Sequence, residues 1–552
     1  MPTLNWIGKD KVIKHHHDVQ FRVLEKQYDF NSPLPIGEGS GVGSNMLIHG
    51  DNLEALKALL PYYEGKIKCI YIDPPYNTGN EGWVYNDNVN DPKIKRWLGK
   101  VVGKEAEDLT RHDKWLCMMY PRLKLLHKLL APDGAIFVSI DDNEQASIKL
   151  LIDEIWGLGN FVAAVICVNN PKGRSDDKYI ATAHETLLVY RKKETFLMGG
   201  FKADEKITIR YNKSDEFGIY REIDLRKTGD NDKREDRPNL FYYFLYNKKT
   251  KEFYPTYDEN VPNEFIQIKP TRADETDGNW RWGLKTSTEN IHLLLPTFMN
   301  VRKKWTVMVK DYLTEDKVVK PTSVWDFKDV NSERGTEEFI KNLGFLKSDF
   351  PNPKPVGTIE RILQISTNKN DIILDSFAGS GTTAHAVLNL NKADGGNRKF
   401  ILIEMEDYAE SITAERIKRV INGYADKEAT GGDFAYYELG EAFFDENRNL
   451  NENLSTSQIE EYIWYSETKS PLPPRGRTVR NQPFFLEKYQ ETAYFFIYEK
   501  DKLTTLDYDF LGTVQIKAEQ YVMYADNCTL PPEFCRAKNI IFKKIPRDIS
   551  RL

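Results

Sequence analysis

Two separated parts of the chain alternate apolar runs of strand length with amphipathic segments of helix length. In the first part, "MLIHG", "IKCIYI" and "AIFVSI" have strand character, and "DNLEALKALLPYY" and "QASIKLLIDEIW" have helical character. The second part repeats the order with "DIILD", a helix and "KFILIE". Strands that alternate with helices predict a parallel, doubly wound sheet of the α/β class.

The chain has 552 residues, enough for roughly three or four domains. The alternation stops at about residue 200, where short strand-like pieces mix with aromatic and charged residues, and it resumes at about residue 346. We therefore predict an N-terminal extension at 1–35, the first half of the α/β domain at 36–200, an inserted domain at 201–345, the second half at 346–425 and a small, strand-rich α+β domain at 426–552.

Composition narrows the classes of protein that need consideration. No apolar run is long enough to cross a membrane, and the N-terminus lacks the apolar core of a signal peptide. The five cysteines are scattered without a C-x-x-C pair, which argues against a disulfide framework and a zinc site and fits a reducing cytoplasm. The net charge is −6, so binding of a polyanion would need local basic patches.

One predicted strand ends in an unusual combination of polar groups. "IYI" leads directly into Asp73, Pro74, Pro75 and Tyr76. The prolines stiffen the chain as it leaves the sheet, and their carbonyls have no local amide partner. This sequence places a carboxylate, exposed carbonyl oxygens and a phenol ring at the carboxyl end of a strand.

A second predicted strand ends in a glycine turn that opens a helix. Asp375 follows "IIL", and the turn contains Ala378, Gly379, Ser380 and Gly381 ahead of "TTAHAVLNL". Small residues allow a ligand close to the backbone, and a helix N-terminus offers free amides. The next strand ends in Glu404, which is placed to accept hydrogen bonds from ribose hydroxyls. The turn has neither the G-x-G-x-x-G pattern nor a P-loop lysine, which disfavours NAD and ATP.

Together, "DPPY" and "DSFAGSGTT" resemble two motifs of the DNA amino-methyltransferases that use S-adenosyl-L-methionine. The order of the motifs resembles the permuted β class, with its Rossmann-like sheet. "PNPKP", which contains Lys354, looks like the motif that precedes the glycine turn in that class, and "GDNLEALK", which contains Asp51, looks like the segment ahead of "DPPY".

The resemblance implies a role for each matching residue. Asp73 and the Pro74 carbonyl would accept hydrogen bonds from the N6 amine of an adenine flipped out of double-stranded DNA, and Tyr76 would stack on that base. No metal is needed for this reaction. The residues implied in cofactor binding are Asp51, Lys354, Asp375, Phe377, Ala378, Gly379, Ser380, Gly381, Thr382 and Glu404.

Alternatives remain open at this point. Cytosine-N4 enzymes of this kind more often carry serine where Asp73 stands, and a non-catalytic DNA-recognition subunit would keep the fold alone. Asp141, Asp142 and Glu144 follow a neighbouring strand and either line the pocket or are solvated. His184 and Glu185 are better explained as residues that order a strand than as residues that take part in the chemistry.

The inserted zone matches the position of the target-recognition domain in β-class enzymes. Its clusters "NWRWGLK" and "VRKKWTVMVK" combine cations for phosphates with aromatic rings that could stack on bases. The predicted DNA contacts are Trp280, Arg281, Arg302, Lys303 and Lys304.

Longer-range similarity, in "EDRPNLFYYF", "IWYSETKSPLP" and "FKKIPRD", points to the modification subunits of type III restriction–modification systems. That resemblance implies a homodimer in a bacterial or archaeal cytoplasm, with a helicase–nuclease restriction subunit as a partner. An orphan methyltransferase is the alternative.

Overall fold

The computed structural model describes residues 3–31, 45–78, 111–173, 178–202, 208–314, 317–445, 447–473 and 482–547. By the density of internal contacts it divides into a main unit, Met1–Gly199 with Pro321–Leu552, and an inserted unit, Gly200–Lys320. None of the helices in these ranges is both long and apolar enough to cross a bilayer.

The main unit begins with two short helices and then alternates strands with longer helices. In chain order these elements are α1 (Lys9–Val12), α2 (His15–Asp18), β1 (Arg22–Phe30), β2 (Met46–His49), α3 (Asn52–Tyr63), β3 (Ile67–Ile72), α4 (Arg111–Leu129), β4 (Leu130–Ile140), α5 (Gln145–Trp156), β5 (Phe161–Cys167) and β6 (Glu185–Arg191).

The inserted unit consists mainly of antiparallel strands. Its elements are β7 (Phe201–Lys202), β8 (Lys213–Asp215), β9 (Gly218–Asp224), β10 (Tyr243–Asn247), β11 (Phe253–Thr256), β12 (Phe265–Ile268), α6 (Leu284–Glu289), β13 (Leu294–Met299), β14 (Lys304–Tyr312) and β15 (Val318–Val319). The larger sheets have the strand orders β11-β10-β12 and β13-β14-β9-β8. A buried cluster that includes Tyr242, Phe244, Trp280 and Val307 forms the core of this unit.

The rest of the chain completes the main unit. Its elements are β16 (Val324–Trp325), α7 (Ser332–Glu337), α8 (Val356–Ser366), β17 (Ile372–Asp375), α9 (Thr382–Asp394), β18 (Lys399–Glu404), α10 (Glu415–Asn422), β19 (Phe434–Ala442), α11 (Thr456–Thr468), β20 (Phe485–Tyr489), β21 (Thr492–Phe496), β22 (Thr505–Leu506), α12 (Tyr508–Thr513), β23 (Gln520–Ala525), β24 (Asn527–Cys528), α13 (Pro532–Ala537) and β25 (Ile540–Lys544).

A ten-stranded sheet organises the main unit, in the order β1-β19-β2-β18-β17-β3-β4-β6-β5-β16. Strands β1 and β6 run opposite to the others, so the sheet is mixed where a parallel one was predicted. Nearly every residue of β3, β4 and β18 is buried, because helices that connect parallel strands cover both faces of such a sheet. Helix α3 packs against α4, and α8 packs against α9.

The structure corrects the predicted domain boundaries. The insertion ends at Lys320 and not at residue 345, because Val324 and Trp325 already pair with β5 of the main sheet. The N-terminal extension contributes strand β1, and the C-terminal segment contributes β19, which pairs with both β1 and β2. The predicted boundary at 35/36 lies outside the described residues. A separate sheet, β20-β21-β23-β25, accounts for the strand-rich character of the C-terminal segment.

Candidate active site

The two motif-bearing strands are neighbours in the main sheet. Strands β3 and β17 pair in parallel, with Cys69 opposite Ile373 and Ile70 opposite Leu374. Parallel strands end at the same edge of a sheet, so Asp73 and Asp375 emerge side by side although they are 302 positions apart in the sequence. Crevices outside the carboxyl ends of parallel strands are the usual ligand sites of α/β sheets.

A cavity of about 1050 Å³ lies at this edge. Residues of both motifs line it, together with Glu185 from β6, Asp141 from the end of β4, and the segment 350–355 ahead of α8. Of the residues predicted for catalysis or cofactor binding, the cavity is lined by Asp73, Pro74, Tyr76, Lys354, Asp375, Phe377, Ala378, Gly379, Ser380 and Thr382. Pro75, Gly381, Glu404 and Asp51 are not among its lining residues.

The loop after β3 is held by groups that the sequence did not reveal. The Trp115 indole donates a hydrogen bond of 2.7 Å to the Pro75 carbonyl, and the preceding residue, Pro74, lines the cavity. Asn77 has a left-handed backbone (φ 58°) and is fully buried. Its amide donates to the carboxylate of Glu144, which is also fully buried. The stiff, anchored backbone fixes the direction in which Asp73 and Pro74 face.

Asp73 belongs to a compact group of polar side chains. The Lys354 ammonium lies 3.2 Å from Asp73 Oδ1 and 2.6 Å from Glu185 Oε2, and it donates to Tyr76 Oη over 2.5 Å. Tyr76 Oη in turn donates to Glu185 Oε2 over 2.9 Å. Burial raises the pKa of Asp73 to about 6, an increase that Lys354 opposes and Glu185 reinforces. The Asp73 carboxylate is therefore a stronger proton and hydrogen-bond acceptor than a solvated aspartate.

Hydrogen bonds from neighbouring residues and the backbone conformation of its glycines fix the shape of the glycine turn. Asp375 accepts hydrogen bonds from the Phe377 amide (3.0 Å) and the Thr383 hydroxyl (2.5 Å). Burial raises the pKa of Asp375 to about 7. Gly379 and Gly381 both have left-handed backbones, with φ of 52° and 82°, which glycine adopts without steric cost. A Cβ at Gly381 would also come within 3.2 Å of Thr413.

A buried arginine lies beneath the turn. Arg416, on α10, is fully buried and donates hydrogen bonds of 2.8 Å to both the Ser380 and Thr382 hydroxyls. These bonds orient the two hydroxyls at the start of α9. No sequence pattern indicated Arg416, because a basic residue on an amphipathic helix is normally expected to face solvent.

Two predicted cofactor residues have clear structural partners. Glu404 accepts hydrogen bonds from the amides of Gly379 (2.7 Å) and Glu406 (3.0 Å), so it holds the glycine turn against β18. Asp51 caps α3 by accepting from the amides of Leu53 and Glu54. The cofactor contacts suggested for these two residues stay predictions.

With this geometry in view, comparison with known proteins identifies the family. The family model described as DNA methylase, for the N6 and N4 methyltransferases, matches residues 67–415, which include both strand-end motifs and the inserted unit. The chain belongs to the N6/N4 DNA methylase family.

Several relatives of this DNA methylase are restriction–modification proteins. It is 36% identical to the type II methyltransferase M.KpnI of Klebsiella pneumoniae over 69% of this chain and 85% of the relative. It is 35% identical to the type III EcoPI Mod subunit of Escherichia phage P1, over 73% of this chain and 64% of that subunit. It is 30% identical to the type III StyLTI Mod subunit of Salmonella typhimurium, over 78% of this chain and 65% of that subunit. The methylase thus spans just under two thirds of the length of the type III subunits that it matches.

The inserted unit of the methylase requires one correction to the predicted DNA contacts. Trp280 is fully buried, and its indole donates to the Tyr242 carbonyl, so it is a core residue that cannot stack on a base. Arg281, Arg302, Lys303 and Lys304 are exposed. Lys304 is paired with Glu275. Arg302 and Lys303 lie in the turn between β13 and β14, beside Val301, which is 95% exposed.

Glu185 is the main site residue of the methylase that sequence reasoning misjudged. It does begin a strand, as predicted, but it also lines the cavity and bonds to both Tyr76 and Lys354. No local sequence signal could have revealed this role, because it depends on the antiparallel pairing of β6 with β4, which brings the first residue of β6 to the edge where β4 ends. Of the three acids after β4, Asp141 lines the cavity, Glu144 is buried behind it, and Asp142 is exposed.

The Glu404 carboxyl predicts a pH dependence of stability. Burial raises the pKa of Glu404 to about 8, whereas a glutamate in the unfolded chain has a pKa of about 4.3. Protonated Glu404 therefore adds its whole stabilisation to the free energy of unfolding below about pH 4.3. This stabilisation is lost progressively as the pH rises from about 4.3 through 8. We expect the wild-type protein to lose thermal stability relative to Glu404→Gln between pH 5 and pH 8, measured as melting temperatures without ligand.

Glu441→Gln, at an exposed position, is the control for this measurement and should follow the wild type at both pH values. Parallel wild-type and Glu404→Gln curves across the range would contradict the assigned pKa.

Proposed function

We propose that this methylase transfers a methyl group from S-adenosyl-L-methionine to N6 of an adenine that is flipped out of double-stranded DNA. The observation that carries the proposal is the position of Asp73 and the Pro74 carbonyl. Both are acceptors on a stiff loop, and they line the same cavity as the glycine turn. The volume of that cavity, about 1050 Å³, is at the upper end of the roughly 300–1,000 Å³ of a pocket for one small molecule, so it suits a cofactor together with a nucleobase.

The residues at the strand edge fit S-adenosyl-L-methionine. The turn offers left-handed glycine backbone, small side chains and the N-terminus of α9, which together suit close approach of a polar ligand. The cavity is lined by seven carboxyl groups and four cationic side chains, and this excess of acidic groups favours a ligand with positive charge. Phe377 supplies an apolar surface for a ring. The bound cofactor would supply an electrophilic methyl group on a sulfonium.

The protein's own residues must compensate for a weak nucleophile. The lone pair of an exocyclic adenine amine is delocalised into the ring. Hydrogen bonds from that amine to the Asp73 carboxylate and the Pro74 carbonyl favour a pyramidal nitrogen and draw off the positive charge that develops during attack. With a pKa of about 6, Asp73 is mainly ionised at neutral pH and can accept the proton that the nitrogen releases. The Tyr76 ring supplies a stacking surface for the flipped base.

Adenine is the proposed base because an aspartate begins the motif, where cytosine-N4 enzymes of this kind more often carry serine. Cytosine-N4 transfer is the second candidate. A recognition-only protein is disfavoured, because drift in such a protein would be expected to erase Asp73, Tyr76 and Gly379, and all of these line the cavity.

Similarity to the EcoPI and StyLTI Mod subunits supports a role as the modification subunit of a type III system. Such a protein would act as a homodimer in a bacterial or archaeal cytoplasm and bind a helicase–nuclease restriction subunit. The similarity to M.KpnI, a type II methyltransferase, keeps an independent methyltransferase as the alternative.

We further propose that the inserted unit recognises the DNA target. Support comes from its place in the chain and from the turn between β13 and β14, where exposed Arg302 and Lys303 flank an exposed valine. Cations of this kind bind phosphates, and an arginine can also read a guanine edge.

Removal of the Asp73 carboxylate should abolish methyl transfer. We expect Asp73→Ala to lower kcat by at least about 10²–10³-fold, because the acceptor for the developing charge is lost, while cofactor affinity changes little. The measurement is nucleoside mass spectrometry of DNA from cells that express each protein, with N6-methyladenine as the expected product.

Asp133→Ala, which removes an exposed carboxylate that pairs with Lys68, is the control and should retain activity. A near-normal rate for Asp73→Ala would refute the mechanism, and N4-methylcytosine as the product would move the proposal to the second candidate.

A branched side chain at Gly379 should block the cofactor. Valine strongly disfavours the left-handed backbone of Gly379, which lines the cavity, so we expect Gly379→Val to weaken S-adenosyl-L-methionine binding by at least about tenfold in calorimetry. Gly395→Val is a matched control, because Gly395 has a similar φ of 66° at the opposite end of α9 but nothing within 4 Å of a Cβ. Equal affinity in both variants would place the cofactor elsewhere.

Exchange of the inserted unit should change the methylated sequence. We expect replacement of residues 200–320 by the unit of a relative with another target to transfer the target of that relative, as mapped by methylation sequencing. An exchange of residues 201–345 is the comparison, because it also replaces lining residues of the cavity between Asp326 and Lys341 and should lower activity. An unchanged target sequence would show that recognition lies outside the inserted unit.

A further inference from the structure

Glu185 occupies a special position at the strand edge. It is the first residue of β6, whose second residue, Thr186, lies opposite Ile140 at the end of β4. Because β6 is antiparallel to its neighbours, its first residue lies at the edge of the sheet where the neighbouring strands end. Glu185 is only 6% exposed. A buried carboxylate at a ligand cavity needs partners, and both of its partners belong to the proposed methyl-transfer site.

A single oxygen of Glu185 couples three parts of that site. Glu185 Oε2 accepts hydrogen bonds from Tyr76 Oη at 2.9 Å and from Lys354 Nζ at 2.6 Å. The same ammonium lies 3.2 Å from Asp73 Oδ1. The carboxylate thus restrains the ring proposed to stack on the base, and it binds the cation nearest to the proposed acceptor.

We propose that Glu185 is a positioning residue for methyl transfer, which fixes the Tyr76 phenol and draws the Lys354 ammonium away from Asp73 so that Asp73 stays available to the target amine. This inference rests on the proposed function.

The distances support a competition for the lysine. Lys354 is closer to Glu185 than to Asp73, so its charge is shared between two carboxylates. Without the negative charge at Glu185, the ammonium would pair with Asp73 alone. That pairing would take up the oxygen that must accept from the amine, and it would make Asp73 less basic.

All the groups that face Asp73 enter this balance. Lys354 comes from the segment before α8, Glu185 from β6, Asp375 from β17, and Tyr71 and Tyr76 from β3 and the loop after it. Among these described groups Lys354 is the cation, and the tyrosines stay neutral because burial raises the pKa of both. The protonation of Asp73 therefore depends mainly on how Lys354 is divided between Asp73 and Glu185.

The decisive variant is Glu185→Gln, which keeps the size of the side chain and an oxygen for Tyr76 but removes the charge. We expect the pKa of Asp73 to fall by about 1 unit, because a repelling charge disappears and Lys354 turns fully to Asp73. Lys354→Met should move the pKa of Asp73 in the opposite direction. Glu185→Asp keeps the charge and should stay nearest to the wild type.

Infrared titration of the protonated Asp73 carboxyl band, assigned by its loss in Asp73→Asn, measures this pKa without DNA or cofactor. The acid limb of the kcat/KM profile for DNA methylation should move with it, to lower pH in Glu185→Gln and to higher pH in Lys354→Met. A purely structural role would lower the rate at every pH and leave the limb in place.

The chain contains a matched control. Asp153 accepts hydrogen bonds from Tyr190 Oη at 2.6 Å and Lys149 Nζ at 2.8 Å, which reproduces the tyrosine–carboxylate–lysine arrangement outside the lining of the cavity. Asp153→Asn removes a charge from the same kind of arrangement but should leave the Asp73 titration unchanged.

The outcomes separate the two proposals. An Asp73 titration that does not move in Glu185→Gln would overturn the role of Glu185, whatever the activity and whatever Lys354→Met does. If Glu185→Gln alone does not fold, the double variant Glu185→Gln/Lys354→Met is compared with Lys354→Met, and the pKa of Asp73 should be lower in the double variant because the charge of Glu185 is gone. Shifted titrations in a protein that methylates no DNA would refute the proposed function and leave the coupling of Glu185 to Asp73 established.

Discussion

The parallel pairing of β3 with β17 is the constraint on which the candidate site depends. Four aligned residues, Cys69 and Ile70 with Ile373 and Leu374, set the register that brings Asp73 next to Asp375. The two motifs come from distant parts of the chain, so neither could form a ligand cavity alone. Since these strands are buried, their register is fixed by burial of whole apolar faces, and a slip by one residue would reverse the direction of every side chain.

Around this edge, charge is balanced within a small volume. Burial raises the pKa values of Asp73 and Asp375 to about 6 and 7, and one ammonium, from Lys354, neutralises part of the local negative charge. The residual negative charge suits a cationic cofactor and a proton acceptor for the amine. In a protein without such a ligand, burial of these carboxyl groups would only lower the free energy of unfolding. The polar cluster is therefore better explained by a role in ligand binding or catalysis than by a role in stability.

Much of the main unit could be predicted from the sequence, because its signals are local. Local sequence patterns are enough to predict strands β2, β3, β17 and β18 and the turn at Gly379 and Gly381. The missed features depend on pairing between distant segments. The antiparallel direction of β6, which carries Glu185 to the site, and the burial of Trp280 and Arg416 follow from packing that no local pattern encodes. The predicted end of the insertion, residue 345, lies too far along the chain for a similar reason. Strand β16 is only two residues long, which is too short to be predicted from local sequence.

The chain returns to the main unit at Pro321, and within a few residues β16 adds itself in parallel to β5 at the margin of the ten-stranded sheet. The insertion starts after β6 and ends before β16, so it interrupts neither β3 nor β17, the two strands that carry the motifs. If the inserted unit recognises the DNA target, as we propose, exchange of this one unit would alter which DNA is modified without any need to rebuild the strand edge. A new specificity could then arise by recombination at two short seams, one on each side of residues 200–320.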